Sequence, residues 1–202
     1  MIAIIDYGVG NLFSLQSSLK YIGVDSVITS DEAVLKACDS VILPGVGAFG
    51  DAVEKLKNTG LDKVVCDQAQ CGKPLMGICL GMQLLFDKSY EYGEHNGLGL
   101  IKGEVVPMDG RLPADLRIPH LGWNGLRFKR QSHLLKYVKD GDFVYFVHSF
   151  FVDGNNPNAV AVTDYGADIS AVVADGNVFG CQFHPEKSGE TGLSILRAFS
   201  EL

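Results

Sequence analysis

The sequence predicts an α/β fold: an open, doubly wound, mostly parallel sheet flanked by helices, with antiparallel strands added in its second half. Two observations carry this. Short apolar runs alternate four times with segments of helical period, joined by short links, as far as the stretch LMGICLGMQLLF at residues 75–86. After Gly97 the helical period fades into strand-like runs separated by turn residues. With 202 residues, 47% of them hydrophobic, and with no internal repeat, linker or low-complexity tract, the chain is expected to form a single domain over 1–202.

The elements follow in order. IAII after Met1 is a β-branched strand stopped by Gly8 and Gly10. Leu12, Leu15, Leu19 and Ile22 recur at helical spacing, and Gly23 caps that helix. DSVITS is a second strand, and Ser30 or Asp31 caps the short helix that follows it. SVILPG is a third strand, expected to be cut off by Pro44 and Gly45. From Asp51, the residues Val53, Leu56, Leu61, Val64 and Val65 mark one or two helices ended by Gly72 and Pro74. KPLMGI is a fourth strand, with a helix starting after Cys79. In the second half LGLIKGEVVPM, LRF, FVYFVHSFFV, AVAVT and ISAVVADGNVFGCQF read as strands, with a hairpin expected at Asp175-Gly176. A last helix is expected over 193–202.

Composition narrows the function. A net charge of -7 with scattered basic residues argues against nucleic-acid binding, which needs clustered Lys and Arg to release counterions. Five cysteines without C-x-x-C spacing suggest neither a disulfide framework nor a zinc site. Reduced thiols, no apolar run approaching 18 residues and no basic leader at Met1 lead to the expectation of a cytoplasmic protein without a membrane segment.

Cys79 is the residue that a purely structural reading leaves unexplained. Gly77-Ile78-Cys79-Leu80-Gly81 is the thiol counterpart of the G-x-S-x-G elbow, where a nucleophile stands on a tight strand-to-helix turn. The amides and dipole of the following helix favour a thiolate. The alternative is a small buried hydrophobe. His184, at a strand end and followed by Pro185 and Glu186, supplies a candidate base with a carboxylate to orient it; His95 and His133 are expected at the surface, and His120 and His148 stay open. Oxyanion donors are expected from Leu80 N–H and from the turn PGVGAFG, where Gly45 and Gly47 free the backbone. Asp6-Tyr7-Gly8-Val9-Gly10 fails as a dinucleotide fingerprint, because Phe13 stands in the third glycine position.

GICLGMQLLF together with HPEKS resembles the class I, triad-type glutamine amidotransferases, whose fold is flavodoxin-like. DYGVGNLFS, LPGVGAFGDAV, GLGLIKGEV, IPHLGWN and YFVHSF narrow the resemblance to the glutaminase subunits of imidazole glycerol phosphate synthases, and it spans nearly the whole chain. The resemblance implies that Cys79 is the nucleophile, His184 the general base and acid, and Glu186 its orienting carboxylate. It further implies an oxyanion hole from Gly45, Val46, Gly47 and Leu80. Gln83 and Glu91 would hold the amino acid end of L-glutamine, and the backbone of His148, Ser149 and Phe150 its α-carboxylate. Asn11, Trp123, Tyr145 and Lys187 would face a (β/α)8 barrel cyclase subunit in a heterodimer, with no metal or organic cofactor. Phe150 stands where Tyr is expected and Leu121 where Met is frequent. Competing readings are a glutaminase subunit for anthranilate, aminodeoxychorismate, guanylate or pyridoxal phosphate synthesis, a non-catalytic regulatory module, or a γ-glutamyl hydrolase.

Overall fold

The computed structural model describes residues 1–202. Its strands are β1 (Ile2–Ile5), β2 (Ser26–Thr29), β3 (Ser40–Gly45), β4 (Leu75–Cys79), β5 (Phe86–Ser89), β6 (His95–Asn96) and β7 (Ile101–Pro107) in the first half. They continue as β8 (His120–Gly125), β9 (Arg127–Phe128), β10 (Phe143–His148), β11 (Phe150–Phe151), β12 (Ala159–Asp164), β13 (Asp168–Asp175) and β14 (Val178–Cys181). The α-helices are α1 (Leu12–Tyr21), α2 (Glu32–Ala37), α3 (Phe49–Thr59), α4 (Leu61–Gln70), α5 (Leu80–Leu84) and α6 (Gly189–Ser200). No helix is long and apolar enough to cross a membrane.

The main sheet has eight strands in the order β2-β1-β3-β4-β14-β13-β12-β9. Its first five strands pair in parallel, and the remaining pairs are antiparallel. The parallel part has the 2-1-3-4-5 order of doubly wound sheets, in which ligands bind beyond the carboxyl ends of the strands. Alternation along β1 sorts its side chains between two cores: Ala3 and Ile5 pack with Leu35, Leu56 and Val65 of α2, α3 and α4 on one face. Ile2 and Ile4 pack on the other with Leu15 and Leu19 of α1 and Leu196 and Phe199 of α6. All of β1, β3 and β4 is buried, which is why these strands read as continuous apolar runs rather than alternating ones.

Several boundaries differ from the sequence reading. β3 is not among them: it spans SVILPG as read, and its last residues, Pro44 and Gly45, pair with Ile78 and Cys79 beside the elbow. The helix after Cys79 is only five residues long. Its Leu84 and Leu85 carbonyls accept from Leu98, Leu100 and Ile101 N–H groups rather than continuing the helical ladder, which releases Phe86 into β5. A helix this short carries little macrodipole, so the dipole support expected from it is small. The hairpin turns one residue later than expected: Asp175 still pairs with Val178, leaving Gly176 and Asn177 as the loop. Asn177 anchors that loop by donating to the Ala69 and Lys73 carbonyls, each at 2.8 Å. α3 starts at Phe49 and α6 at Gly189, each before the predicted start. Asp31, one of the two expected caps, accepts from Ala33 and Val34 N–H groups.

Candidate active site

Cys79 ends β4 with φ 54 and ψ -111, a left-sided conformation that a non-glycine residue adopts only when its surroundings impose it. The two glycines make that turn sterically possible. A Cβ on Gly81 would lie 1.8 Å from the Leu43 carbonyl oxygen, and one on Gly77 would lie 2.5 Å from the Gly81 carbonyl oxygen. The elbow is thus wedged against β3, and its thiol projects at the carboxyl edge of the parallel strands.

β14 pairs with β4 and carries the chain to His184, bringing the ends of two neighbouring parallel strands together. His184 Nδ1 is 2.9 Å from Glu186 Oε1, and both side chains are almost fully buried. Burial opposes charge on the His184 ring, but the nearby Cys79 thiol and the Glu186 carboxylate outweigh it and raise its pKa to about 9. Glu186 Oε2 has no hydrogen-bond partner. The turn carrying this pair is tied to β10: His184 N–H donates to the Tyr145 carbonyl at 3.1 Å, and Tyr145 N–H donates to Ser188 Oγ at 2.9 Å.

Cys79, His184, Val46, Gly47, Leu80, Gln83, Glu91, His148, Ser149, Phe150 and Lys187 line one cavity of about 250 Å³, with Val147. That volume falls just below the roughly 300 Å³ lower end of drug-sized pockets and suits a small molecule. Gly45 and Glu186 lie behind it, lining a space of about 10 Å³ with Asn11. Trp123 and Tyr145 stand on paired strands outside the cavity, edge to face with centroids 5.9 Å apart. Trp123 is half exposed.

The polar lining is directional. Gln83 Nε2 donates to the Phe150 carbonyl at 2.9 Å and to Gln182 Oε1 at 3.0 Å, so its remaining polar atom for a ligand is an acceptor. Glu91 accepts from Phe49 N–H at the start of α3 at 2.5 Å, and burial raises its carboxyl despite that bond. Acceptors at both positions suit an ammonium group.

Three contributors to the site escaped the sequence reading. Gln182 Nε2 donates toward Cys79 Sγ at 3.8 Å; it stands two residues before His184, and that proximity was its only signal. Tyr7, given no role of its own by the sequence, is buried and donates to the Pro44 carbonyl at 2.9 Å, holding the strand that leads into Gly45. Burial, with the nearby Cys79, pushes its phenol upward. His120, whose role was open, is fully buried and lies 3.1 Å from His148, ring nitrogen to ring nitrogen. His95, expected at the surface, is half-buried against Phe49 with ring centroids 6.4 Å apart. No group of three or more His, Cys, Asp or Glu side chains is arranged to hold a metal ion.

The family model for glutamine amidotransferase class-I matches residues 3–201. The imidazole glycerol phosphate synthase subunit HisH of Caldanaerobacter subterraneus is 54% identical, covering 100% of this chain and 98% of its own length. The subunit of the same name from Bacillus subtilis is 48% identical, covering 100% of this chain and 96% of its own length. Among solved structures, a crystal structure of a glutamine amidotransferase superposes with TM-score 0.77 at 19% identity, covering 100% of this chain and 98% of that one, a likeness of fold. An elbow cysteine beside a histidine–glutamate pair, on a doubly wound sheet, with a family match over almost every residue, leads to one conclusion: the chain belongs to the class I glutamine amidotransferases.

Proposed function

We infer that the chain is the glutaminase subunit of an imidazole glycerol phosphate synthase, acting as one catalytic domain over 1–202. It hydrolyses L-glutamine and delivers the ammonia to a (β/α)8 barrel cyclase subunit. The observation that carries the chemistry is Cys79, held at φ 54 at the mouth of a cavity it shares with His184. Relatives about half identical over the whole chain support the choice of pathway.

In this reading the Cys79 thiolate attacks the side-chain amide carbon of glutamine, and the oxyanion is stabilised by the amide of Leu80 and the backbone of Gly45, Val46 and Gly47. As the C–N bond breaks, the His184 imidazolium protonates the departing nitrogen to give ammonia. Neutral His184 then takes a proton from water, which attacks the γ-glutamyl thioester and releases glutamate and the thiol. Glu186 fixes the ring so that its other nitrogen serves these transfers. Acceptor atoms of Gln83 and Glu91 receive the ammonium of glutamine, and the backbone of His148, Ser149 and Phe150 receives its α-carboxylate.

Ammonia released into neutral water becomes unreactive ammonium, so a docked partner with a dry passage gives the reaction its use. Asn11, Trp123, Tyr145 and Lys187 form the cyclase-facing surface. The exposure of Phe13, Val46, Leu121 and Trp123 supports an apolar docking face. The test is a glutaminase assay of wild type and Cys79→Ala, each with and without the cyclase. Turnover only by wild type, and much faster with the cyclase, is expected; equal rates for both variants in the complex would overturn the reading.

A further inference from the structure

Two buried histidines form a hydrogen-bonded chain that the chemistry above does not use. β8 and β10 are antiparallel, and their register places Trp123 opposite Tyr145 and His120 opposite His148. His120 is stacked between Phe146 and Tyr165, with ring centroids 4.7 Å and 4.0 Å away. Its Nε2 is 2.9 Å from Asn124 Oδ1, and its Nδ1 is 3.1 Å from His148 Nε2. His148 Nδ1 is 2.9 Å from the Phe150 carbonyl, which also accepts from Gln83. The chain therefore runs from the strand bearing Trp123 to the backbone beside the catalytic cavity.

Proton counting gives this chain a direction. The Phe150 carbonyl only accepts, so that bond requires a proton on His148 Nδ1. Asn124 Nδ2 donates to the Asp164 carbonyl at 3.1 Å, which turns Oδ1 toward His120, so that bond requires a proton on His120 Nε2. The bond between the rings requires a third proton. Burial lowers both rings, His148 to about 3, and two neutral imidazoles carry two ring protons. The neighbouring ionisable groups are His184 and Cys79 on the cavity side and Tyr165 and Asp164 beyond His120. One of three gaps is thus left without a proton, at the Asn124 end, between the rings, or at the Phe150 end.

We propose that the His120–His148 pair is a two-proton relay over three hydrogen-bond gaps, and that His120 is thereby a positioning residue for the backbone of residues 148–150 that receives glutamine. A proton settled at the Phe150 end fixes that carbonyl from one side while Gln83 fixes it from the other. Protons settled at the Asn124 end and between the rings leave none at the Phe150 end and release that carbonyl. Whatever disturbs Asn124, the residue next to Trp123 on β8, shifts the vacancy away from the cavity and orders the binding backbone. This rests on the glutaminase reading for the identity of the ligand, but the proton count does not.

The test uses the complex with the cyclase in a Cys79→Ala background, with glutamine affinity measured by calorimetry. His120→Phe keeps the aromatic stack and removes the ring that competes for the His148 proton, which should then stay on Nδ1 at the Phe150 end; glutamine affinity should rise, by up to about tenfold, the worth of one hydrogen bond. Asn124→Ala removes the competing acceptor, and affinity should hold or rise. A fall in affinity in either variant, or a bare His148 Nδ1 in His120→Phe, would overturn the relay. In ligand-free wild type, nitrogen-15 shifts of the two rings should count two protons, with His148 Nδ1 shared between protonated and bare. Three protons, or a permanently bare His148 Nδ1, would overturn it without reference to glutamine. Failure of Cys79→Ala to bind glutamine, with two protons counted, would instead strike the functional reading.

Discussion

The parallel half and the antiparallel half of this molecule meet at Cys79 and contribute different kinds of order. From β3, β4 and α5 comes backbone geometry: a left-sided cysteine between two glycines that tolerate no Cβ. From β8, β10 and the chain after β14 come ionisable and amide side chains, joined to one another under cover. The first half places the Cys79 thiol by steric exclusion, which is all-or-none. The second half surrounds it with hydrogen-bonded side chains, each bond worth about 1 kcal/mol and therefore adjustable.

Breaking the steric side should cost most. Gly81→Ala must move the Leu43 carbonyl or the elbow itself, and a loss of about 4 kcal/mol or more is expected in denaturant titration. A loss below about 1 kcal/mol would mean the elbow yields easily, and the contrast between halves would fail. Removing His184, the proposed base, comes next: His184→Ala in the complex should lower kcat about 10³-fold, within the usual range for acid–base groups. Glu186→Ala should lose about tenfold less, because it orients the ring and transfers no proton itself. Steady-state kinetics with glutamine decides the order, and the reverse order would exchange their roles.

A smaller, pH-dependent effect sharpens the comparison. The His184 ring is raised from 6.5 to about 9, so its contribution to folding stability is complete below pH 6.5 and is lost as the pH rises through 9. Cys79→Ala removes one of the two raising partners, and the ring should then titrate at lower pH, followed by nitrogen-15 shifts. An unmoved value would mean that thiol and ring are not coupled. The smallest change should come from Tyr7→Phe, which strips one donor from the Pro44 carbonyl. About 1–2 kcal/mol of stability and a few-fold of kcat should go, by melting and turnover in the complex.

What could be read from the sequence divides along the same line. Local patterns carried the strand–helix alternation and the elbow, because both depend on neighbours in the chain: Gly77 and Gly81 flank Cys79, and Glu186 stands two residues from His184. The length of α5 was not local, since it is ended by backbone donors from residues 98–101 capturing the carbonyls of Leu84 and Leu85. Nor were the partners of the buried amides and rings. Gln182 meets Gln83 and Cys79 only because β14 lies beside β4, and His120 meets His148 only through the register of β8 on β10. Tyr7 reaches Pro44 across adjacent strands, a contact that no spacing in DYGVGN announces.

The central claim is that glutamine is opened by covalent attack from Cys79. It is tested most directly by quenching the complex in acid during turnover and mapping the modified residue by mass spectrometry. A γ-glutamyl group on the peptide containing Cys79 is predicted, absent from Cys79→Ala and formed more slowly in His184→Ala. Steady glutamine turnover with no adduct on Cys79, or with Cys79→Ala turning over at the wild-type rate, would contradict it.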